Sequence, residues 1–180
     1  MSHPSAAAAA PAAGSIPCAR TDAPAPRLAD AARLLLPHIE QGRRVDAVIL
    51  RTAMEQAFGG SDTSGAWDWK TAYDACEAAT VLFLRRYGKP LFRKAGSVAA
   101  ALPQLAKVAS LLPTHTRRSE ESRALQQFST PIPLGLAALR AAGIAPGDRV
   151  LEPSAGTGLL AILAEIAGGA LVLNELAETR

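Results

Sequence analysis

The chain contains little of the residue types on which several common classes of protein depend. Aromatic residues make up only 4% of the 180 residues, and the cysteines are Cys18 and Cys76 alone. These are too few for a disulfide framework or a metal cluster, so a reducing cytoplasm is the expected location. The histidines are widely separated, with no cysteine or carboxylate at ligand spacing, so no metal or catalytic role is predicted for them.

A secretory leader and a long apolar run are also missing from the sequence. The first residues have no basic region followed by an apolar core, so no signal peptide is predicted. The longest apolar run, 159–173, is interrupted by Glu165 and by two adjacent glycines, which favours a helix, a turn and a strand over a membrane span. The net charge of +3 permits contact with nucleic acid without arguing for it.

Composition and apolar spacing divide the chain into three segments. Residues 1–26 are rich in Ala, Pro and Ser, and we predict that they form a disordered tail. Residues 27–125 show helical spacing and no strand signal, which predicts an all-helical region. In the third segment, 126–180, a predicted helix at 133–142 precedes the first strand signal of the chain.

Glycine and proline are expected to mark helix ends within the helical region. The third helix is predicted to run from Asp68 to Tyr87 and to stop at Gly88, with a proline soon after it. Ser97 is a candidate cap for a fourth helix, which Pro103 is expected to kink or to split.

Basic residues are frequent between positions 85 and 123, and two interpretations of them stay open. They could contact the phosphates of DNA, or they could form an ordinary solvated helical surface. The second is favoured because aromatic residues that could stack on bases are sparse there. Trp67 and Trp69 are expected to be core anchors at the start of a helix.

The segment 150–158, Val-Leu-Glu-Pro-Ser-Ala-Gly-Thr-Gly, is the one stretch of the sequence that indicates a ligand-binding site. Its first two residues indicate the end of a buried strand, and residues 159–167 indicate a helix. Gly156 and Gly158 allow a sharp turn and close approach of a ligand, because neither has a Cβ. A strand, a glycine turn and a helix form the ligand-binding corner of a doubly wound α/β fold, so an α/β fold class is predicted.

Two alternative ligands are compatible with this corner of the fold. The glycine spacing fits the dinucleotide pattern, and Glu175 follows at the distance where an acidic side chain binds ribose hydroxyls. S-adenosylmethionine also needs an acidic partner for its ribose. Glu152 favours the second ligand, because a carboxylate repels a pyrophosphate but complements a sulfonium and an ammonium group. A triphosphate-binding loop is disfavoured, since no lysine follows the glycines.

Upstream of the strand, Thr130 and Pro131 precede the predicted helix. A threonine there can cap the helix or contact a ligand, and a proline suits a first helical turn. Taken alone the pair favours a plain helix cap, and the glycine motif about 20 residues on shifts the balance toward contact with a ligand.

Together, Phe128-Ser129-Thr130-Pro131 and the segment 151–158 resemble the amino-methylating DNA methyltransferases that make N6-methyladenine. From about residue 27 onward the chain also resembles the start of bacterial strawberry notch-like proteins, in which a methylase-like domain is fused to a helicase-like ATPase. The resemblance implies a class I, Rossmann-like methyltransferase fold preceded by helices, with S-adenosylmethionine as cofactor and DNA as partner.

The resemblance also implies roles for individual residues. Glu152, Gly156 and Gly158, with the intervening Pro153 and Ala155, would hold the methionine end of the cofactor. The Thr-Pro pair at 130 and 131 would flank it, and the carboxylate at position 175 would bind the ribose hydroxyls.

The catalytic motif of that family is missing. It is an Asn or Asp followed by two prolines and an aromatic residue, and no such tetrapeptide occurs in the sequence. Helicase motifs are missing as well. The expectation is therefore an incomplete methyltransferase fold, truncated at residue 180, that is inactive by itself. The open alternatives are a helical DNA- or protein-interaction module and a dinucleotide-binding Rossmann domain.

Overall fold

The structure is a computed structural model that describes residues 24–113 and 129–176. Along the chain the elements are α1 (Pro24–Glu40), α2 (Ala47–Phe58), α3 (Trp69–Ala95), α4 (Val98–Ser110), α5 (Ile132–Ala142), β1 (Arg149–Glu152), α6 (Ala161–Ala167) and β2 (Ala170–Leu173). Apart from residues 24–26, which belong to α1, the predicted tail lies outside the described residues, as does the predicted boundary near residue 126.

The prediction of an α/β fold is wrong. The described residues are 63% helical, and their strands are β1 and β2, which pair in parallel from Arg149 with Ala170 to Glu152 with Leu173. No Rossmann-like sheet is present in this part of the chain. The glycine motif is a local signal of one strand–turn–helix unit, whereas a doubly wound sheet needs several parallel strands with helices on both faces.

Two clusters of buried side chains form the core. The first cluster joins α1, α2 and α3, and includes Leu35 and Met54. The second cluster joins α3, α4, α5 and α6, and includes Leu84, Leu105 and Leu163. Helix α3 contributes to both, so it connects the helical part of the chain with the strand–turn–helix unit. Among the described helices, none combines the length and the apolar character that a membrane span requires.

Side-chain caps fix the starts of three helices. Asp46 accepts hydrogen bonds from the backbone N–H groups of the first turn of α2, and Asp68 accepts one from Thr71 at 2.7 Å. Ser97 caps α4 by accepting from the N–H of Ala100 at 3.2 Å, as predicted. Each such cap is worth about 1 kcal/mol, because it satisfies a backbone donor that has no partner inside the helix.

Helix α3 does not stop at Gly88, and the predicted end there is wrong. The helix continues through Pro90 to Ala95 and ends at Gly96, which has φ 71°. Gly88 is buried against the side chain of Ile166 in α6, where an added Cβ would collide with it. This glycine therefore serves close packing of two helices, and tertiary contacts offset its low helix propensity. Helix α4 likewise runs through Pro103 without a break.

One face of the two-stranded sheet is exposed. Leu151 pairs with Val172 in the register, and the two side chains are 66% and 47% exposed. Their neighbour Leu173 is also exposed. Parallel sheets are normally covered on both faces, so this apolar face is a surface that the described residues leave open.

Substituting a core leucine and an exposed leucine should separate packing from side-chain identity. Leu84 is fully buried in the second cluster, and Leu84→Ala is expected to lower the free energy of unfolding by about 2–5 kcal/mol. Leu134 is 61% exposed on α5, so Leu134→Ala should change it by less than about 0.5 kcal/mol. Urea denaturation followed by circular dichroism measures both, and equal losses would contradict this arrangement of the core.

Candidate functional site

The predicted order of strand, glycine turn and helix is present at residues 149–167. Gly156 has φ 54° and Gly158 has φ 88°, a left-handed conformation that side chains with a Cβ rarely adopt. The Gly158 N–H donates to the Ala155 carbonyl at 2.8 Å, and its own carbonyl accepts from Ile162 in α6 at 2.9 Å. The two glycines therefore shape a tight turn that leads directly into the helix.

The end of β2 is tied to this turn. Beyond the last paired residues, the Ala155 N–H donates to the Asn174 carbonyl at 2.9 Å, and the Asn174 side-chain amide donates to the Pro153 carbonyl at 3.1 Å. The carboxylate of Glu175 accepts from the Gly156 N–H at 2.6 Å. Because parallel strands end at the same edge, the sheet brings Glu175 to the turn despite 19 residues of separation.

Glu152 lies at the other side of the turn. Its carboxylate is half-buried and accepts from the Ser154 N–H at 3.2 Å. It borders a cavity of about 170 Å³ between α5 and α6, which also contacts Leu160. Glu152 is therefore next to the glycine turn but does not line the same cavity as Gly156.

Two neighbouring cavities adjoin the glycine turn. The first, called here the turn cavity, measures about 60 Å³ and is lined by Glu77, Ser129, Thr130, Ser154, Ala155, Gly156, Thr157, Leu159 and Leu160. The second, called here the helix cavity, measures about 280 Å³ and lies between α3, the end of α4 and the start of α5. Glu77, Ser129, Thr130 and Leu159 line both, so the cavities meet at these residues.

Some of the cofactor-binding residues predicted from the sequence line these two cavities, and others do not. Thr130 lines both cavities and Pro131 lines the helix cavity, whereas Ala155 and Gly156 line the turn cavity. The remaining predicted residues, which flank the turn without lining either cavity, are Glu152, Pro153, Gly158 and Glu175.

Glu77 is the residue of this region that the sequence did not reveal. It belongs to α3, and its carboxylate accepts a hydrogen bond from the Thr157 hydroxyl at 2.9 Å across 80 residues of chain. No local motif surrounds it, and its helix carried only the signal of apolar spacing. Packing of α3 against the strand–turn–helix unit is what makes it part of the site.

Acidic side chains surround the turn. Carboxylates of Glu77, Glu152 and Glu175 approach it from three elements of the fold, through Thr157, Ser154 and Gly156 respectively. Among the described residues that line the two cavities, none is a lysine or an arginine.

A larger cavity lies elsewhere and lacks this chemistry. It measures about 320 Å³ and lies between the ends of α3, α5 and α6. Its lining is mostly apolar, with Arg140 as its charged residue among those described. By its size alone this cavity would be the better candidate for a ligand site, but its lining contains no carboxylate and none of the motif residues.

Two of the basic residues considered for DNA binding form ion pairs within the fold, and one of the two tryptophans is a buried part of the core. Arg85 pairs with Glu165 at 3.0 Å, and Arg86 pairs with Glu40 at 3.0 Å. Trp67 is buried, and its indole N–H donates to the Gly60 carbonyl. The prediction that Trp67 is a core anchor is therefore confirmed. The basic residues at 117, 118 and 123 lie outside the described residues.

The chain matches no protein-family model, and comparisons with curated proteins and with solved structures find no match either. Within the described ranges, no group of three or more His, Cys, Asp or Glu side chains is arranged to hold a metal ion.

Cys76 lines the helix cavity as a neutral thiol. Burial, and secondarily the negative charge of Glu77, raises the pKa of Cys76 from 9.0 to about 12. The thiol is therefore uncharged and unreactive at neutral pH, which excludes a nucleophilic role for it.

We expect Cys76 to resist alkylation at pH 8 in the folded chain and to react with iodoacetamide once urea unfolds it. A Cys18→Ser background leaves Cys76 as the one thiol. The raised pKa stabilises the fold fully below about pH 9, and this contribution is lost between pH 9 and 12, where the unfolded thiol ionises and the folded thiol does not. Rapid labelling of the folded chain at pH 8, read by mass spectrometry, would contradict the buried position.

Proposed function

We propose that the glycine turn and its two cavities bind S-adenosylmethionine, and that the chain supplies the cofactor site of a DNA methyltransferase of the N6-adenine type. One observation carries the proposal: a turn with left-handed Gly156 and Gly158 follows β1, and the carboxylate of Glu152 lies beside that turn at the end of the strand. When bound, the cofactor supplies an electrophilic methyl group on a positively charged sulfur.

Charge separates this cofactor from the alternatives. At a dielectric typical of a protein surface, two unit charges about 4 Å apart interact by roughly 4 kcal/mol. The carboxylate of Glu152 would therefore repel a pyrophosphate or a triphosphate bound at the turn, and attract a sulfonium and an ammonium group. This argument disfavours a dinucleotide, even though Glu175 follows the glycines at a suitable distance.

The dimensions support a site built from both cavities. Pockets for small molecules commonly measure about 300–1,000 Å³. The turn cavity, at about 60 Å³, is too small for a nucleoside, but it shares Glu77 and Thr130 with the neighbouring helix cavity of about 280 Å³. The left-handed glycines are half-buried, and a Cβ placed on Gly158 would meet nothing within 4 Å.

The sequence supports cofactor binding more strongly than catalysis. It contains no Asn or Asp followed by two prolines and an aromatic residue, the motif that holds the target amino group in the resembling enzymes. We therefore propose that methyl transfer to DNA requires catalytic residues from elsewhere, such as the methylase and helicase-like regions of strawberry notch-like proteins.

The exposed sheet face favours a second candidate, a protein-interaction module. Leu151 and Val172 present apolar side chains to solvent on the same face of the sheet. Exposed apolar surfaces commonly mark docking sites. A chain that binds a protein partner but no cofactor would support this alternative.

Glu152→Gln is expected to weaken binding of S-adenosylmethionine by about tenfold, or 1.4 kcal/mol, because it removes a charge and keeps the side-chain size. Glu55→Gln is the matched control, since Glu55 is exposed on α2 and lines neither cavity. Isothermal titration calorimetry of the full chain measures both variants. Unchanged affinity in Glu152→Gln, or equal losses in the two variants, would contradict the role of Glu152.

The isolated chain is expected to transfer no methyl group to DNA, since it lacks the motif that holds the base. Incubation with tritiated S-adenosylmethionine and unmethylated duplex or single-stranded DNA, followed by counting of the precipitated DNA, measures this. Label in the DNA that requires the chain would show that a catalytic centre exists within these 180 residues.

A further inference from the structure

The second half of α3 presents a strongly basic surface to solvent. Between positions 85 and 95 this helix contains five cationic residues and no aspartate or glutamate. All five are exposed, and together they are called here the basic face: Arg85, Arg86, Lys89, Arg93 and Lys94. Gly88 lies on the opposite side of the helix, where it packs against α6. The cations therefore occupy the side of α3 that the described residues leave uncovered.

Helical spacing aligns three of these cations. Arg86, Lys89 and Arg93 follow one another at intervals of three and four residues, which makes them neighbours along one side of the helix. At 1.5 Å per residue they span about 10 Å, which is the length of roughly three base pairs of duplex DNA. Their charges are therefore spaced for contact with adjacent phosphates.

Most of this charge has no counter-charge within the fold. The arginines at 85 and 86 are each paired with a carboxylate at 3.0 Å. Lys89, Arg93 and Lys94 form no salt bridge within the part of the chain that the structure describes. Attraction to the carboxyl end of the helix explains Arg93 and Lys94, which lie in its last turn, but it does not explain Lys89. Helix stability alone therefore does not account for the basic face.

A cation from a second helix lies at the same end of α3. Arg140 of α5 is exposed and also forms no salt bridge with any described residue. It lines the cavity of about 320 Å³ together with Phe92 and Gly96, which are one and three residues from Arg93. The basic surface therefore extends over two helices of the fold.

The surroundings of the basic face favour duplex nucleic acid over other anionic partners. A helix that lies on a membrane surface needs large apolar side chains beside its cations. Among the described residues none of the exposed large apolar side chains belongs to α3. Single-stranded nucleic acid stacks on exposed aromatic rings, whereas the rings within this stretch, Tyr87 and Phe92, are half-buried. The phosphates of a duplex require only the cations.

We propose that the basic face of α3, together with Arg140, binds the sugar–phosphate backbone of duplex DNA. The choice of DNA as the duplex rests on the proposed function, and the basic face extends that function to a surface outside the two cofactor cavities. Contacts with phosphates supply affinity and orientation without reading the base sequence. The helical part of the chain then holds DNA of any sequence.

The test is fluorescence anisotropy of a short labelled DNA duplex titrated with the full chain between about 50 and 200 mM salt. The double variant Lys89→Gln/Arg93→Gln removes two neighbouring cations of the basic face. We expect it to weaken binding by about tenfold at the lowest salt concentration. The slope of log affinity against log salt should also become shallower by about 0.9 for each lost contact, or about 1.8 in all.

The matched control is Arg27→Gln/Arg149→Gln, which changes the net charge by the same amount. Both residues are exposed. Arg27 is 13 residues before Glu40, the residue of α1 that pairs with the basic face, and is therefore about 20 Å from it along the helix. Arg149 alternates with Val150, which faces the cavity between α5 and α6. Charges beyond about 10 Å are largely screened at 0.1 M salt, so we expect less than about a twofold change.

Each outcome decides for or against the basic face. It is wrong if the unmodified chain does not bind the duplex, if Lys89→Gln/Arg93→Gln binds with unchanged affinity and slope, or if both double variants lose affinity equally. Tighter binding to phosphatidylserine vesicles than to the duplex would overturn it in favour of a membrane. Titration with S-adenosylmethionine separates it from the proposed function: a chain that binds DNA through the basic face but no cofactor refutes only the cofactor site.

A second measurement uses the unmodified chain, so it does not depend on the folding of a variant. The lysines of the sequence are Lys70, Lys89, Lys94 and Lys107. Limited acetylation with and without the duplex, read by mass spectrometry, reports which of them the DNA covers. We expect the duplex to slow acetylation of Lys89 and Lys94 more than that of Lys107, which is exposed on α4. Equal rates at Lys89 and Lys94 with and without DNA would overturn the proposal.

Discussion

The close packing of α3 against α6 is the contact on which the rest of the structure depends. Three pairs occur in the same order along both segments: Glu77 with Thr157, Arg85 with Glu165, and Gly88 with Ile166. The two segments therefore run side by side in the same direction. Gly88 permits this approach because it has no side chain, whereas the exposed ion pair contributes little. Without this packing, no carboxylate of the helical part would reach the glycine turn.

The same packing gives the candidate site its electrostatic character. The turn itself contributes backbone groups and the hydroxyl of Thr157, and the sheet edge contributes Glu152 and Glu175. Helix α3 adds Glu77 and a buried wall that keeps Cys76 neutral. The candidate site therefore combines an apolar cavity wall with acidic side chains because α3 packs against the glycine turn.

Local signals predicted local structure well where one physical cause dominated. Ser97 caps its helix because a hydroxyl before a helix satisfies a free N–H, and the glycine motif turns sharply because Gly156 and Gly158 adopt positive φ angles. Gly88 was misleading for the opposite reason. A glycine followed by a proline normally indicates the end of a helix. Here α3 continues through Gly88, because this glycine packs closely against Ile166 of a second helix. The α/β prediction was wrong because a single strand–turn–helix unit does not specify the rest of a sheet.

The sequence by itself determined the glycine turn, its flanking strand and helix, and the acidic residues at 152 and 175, since these depend on backbone sterics and on short-range spacing. Only the tertiary structure decided that the fold is mainly helical, that Glu175 holds the Gly156 amide, and that Glu77 joins the site. A contact between residues 80 positions apart arises from packing of whole helices. No local pattern of residues encodes that packing, so the sequence alone did not reveal it.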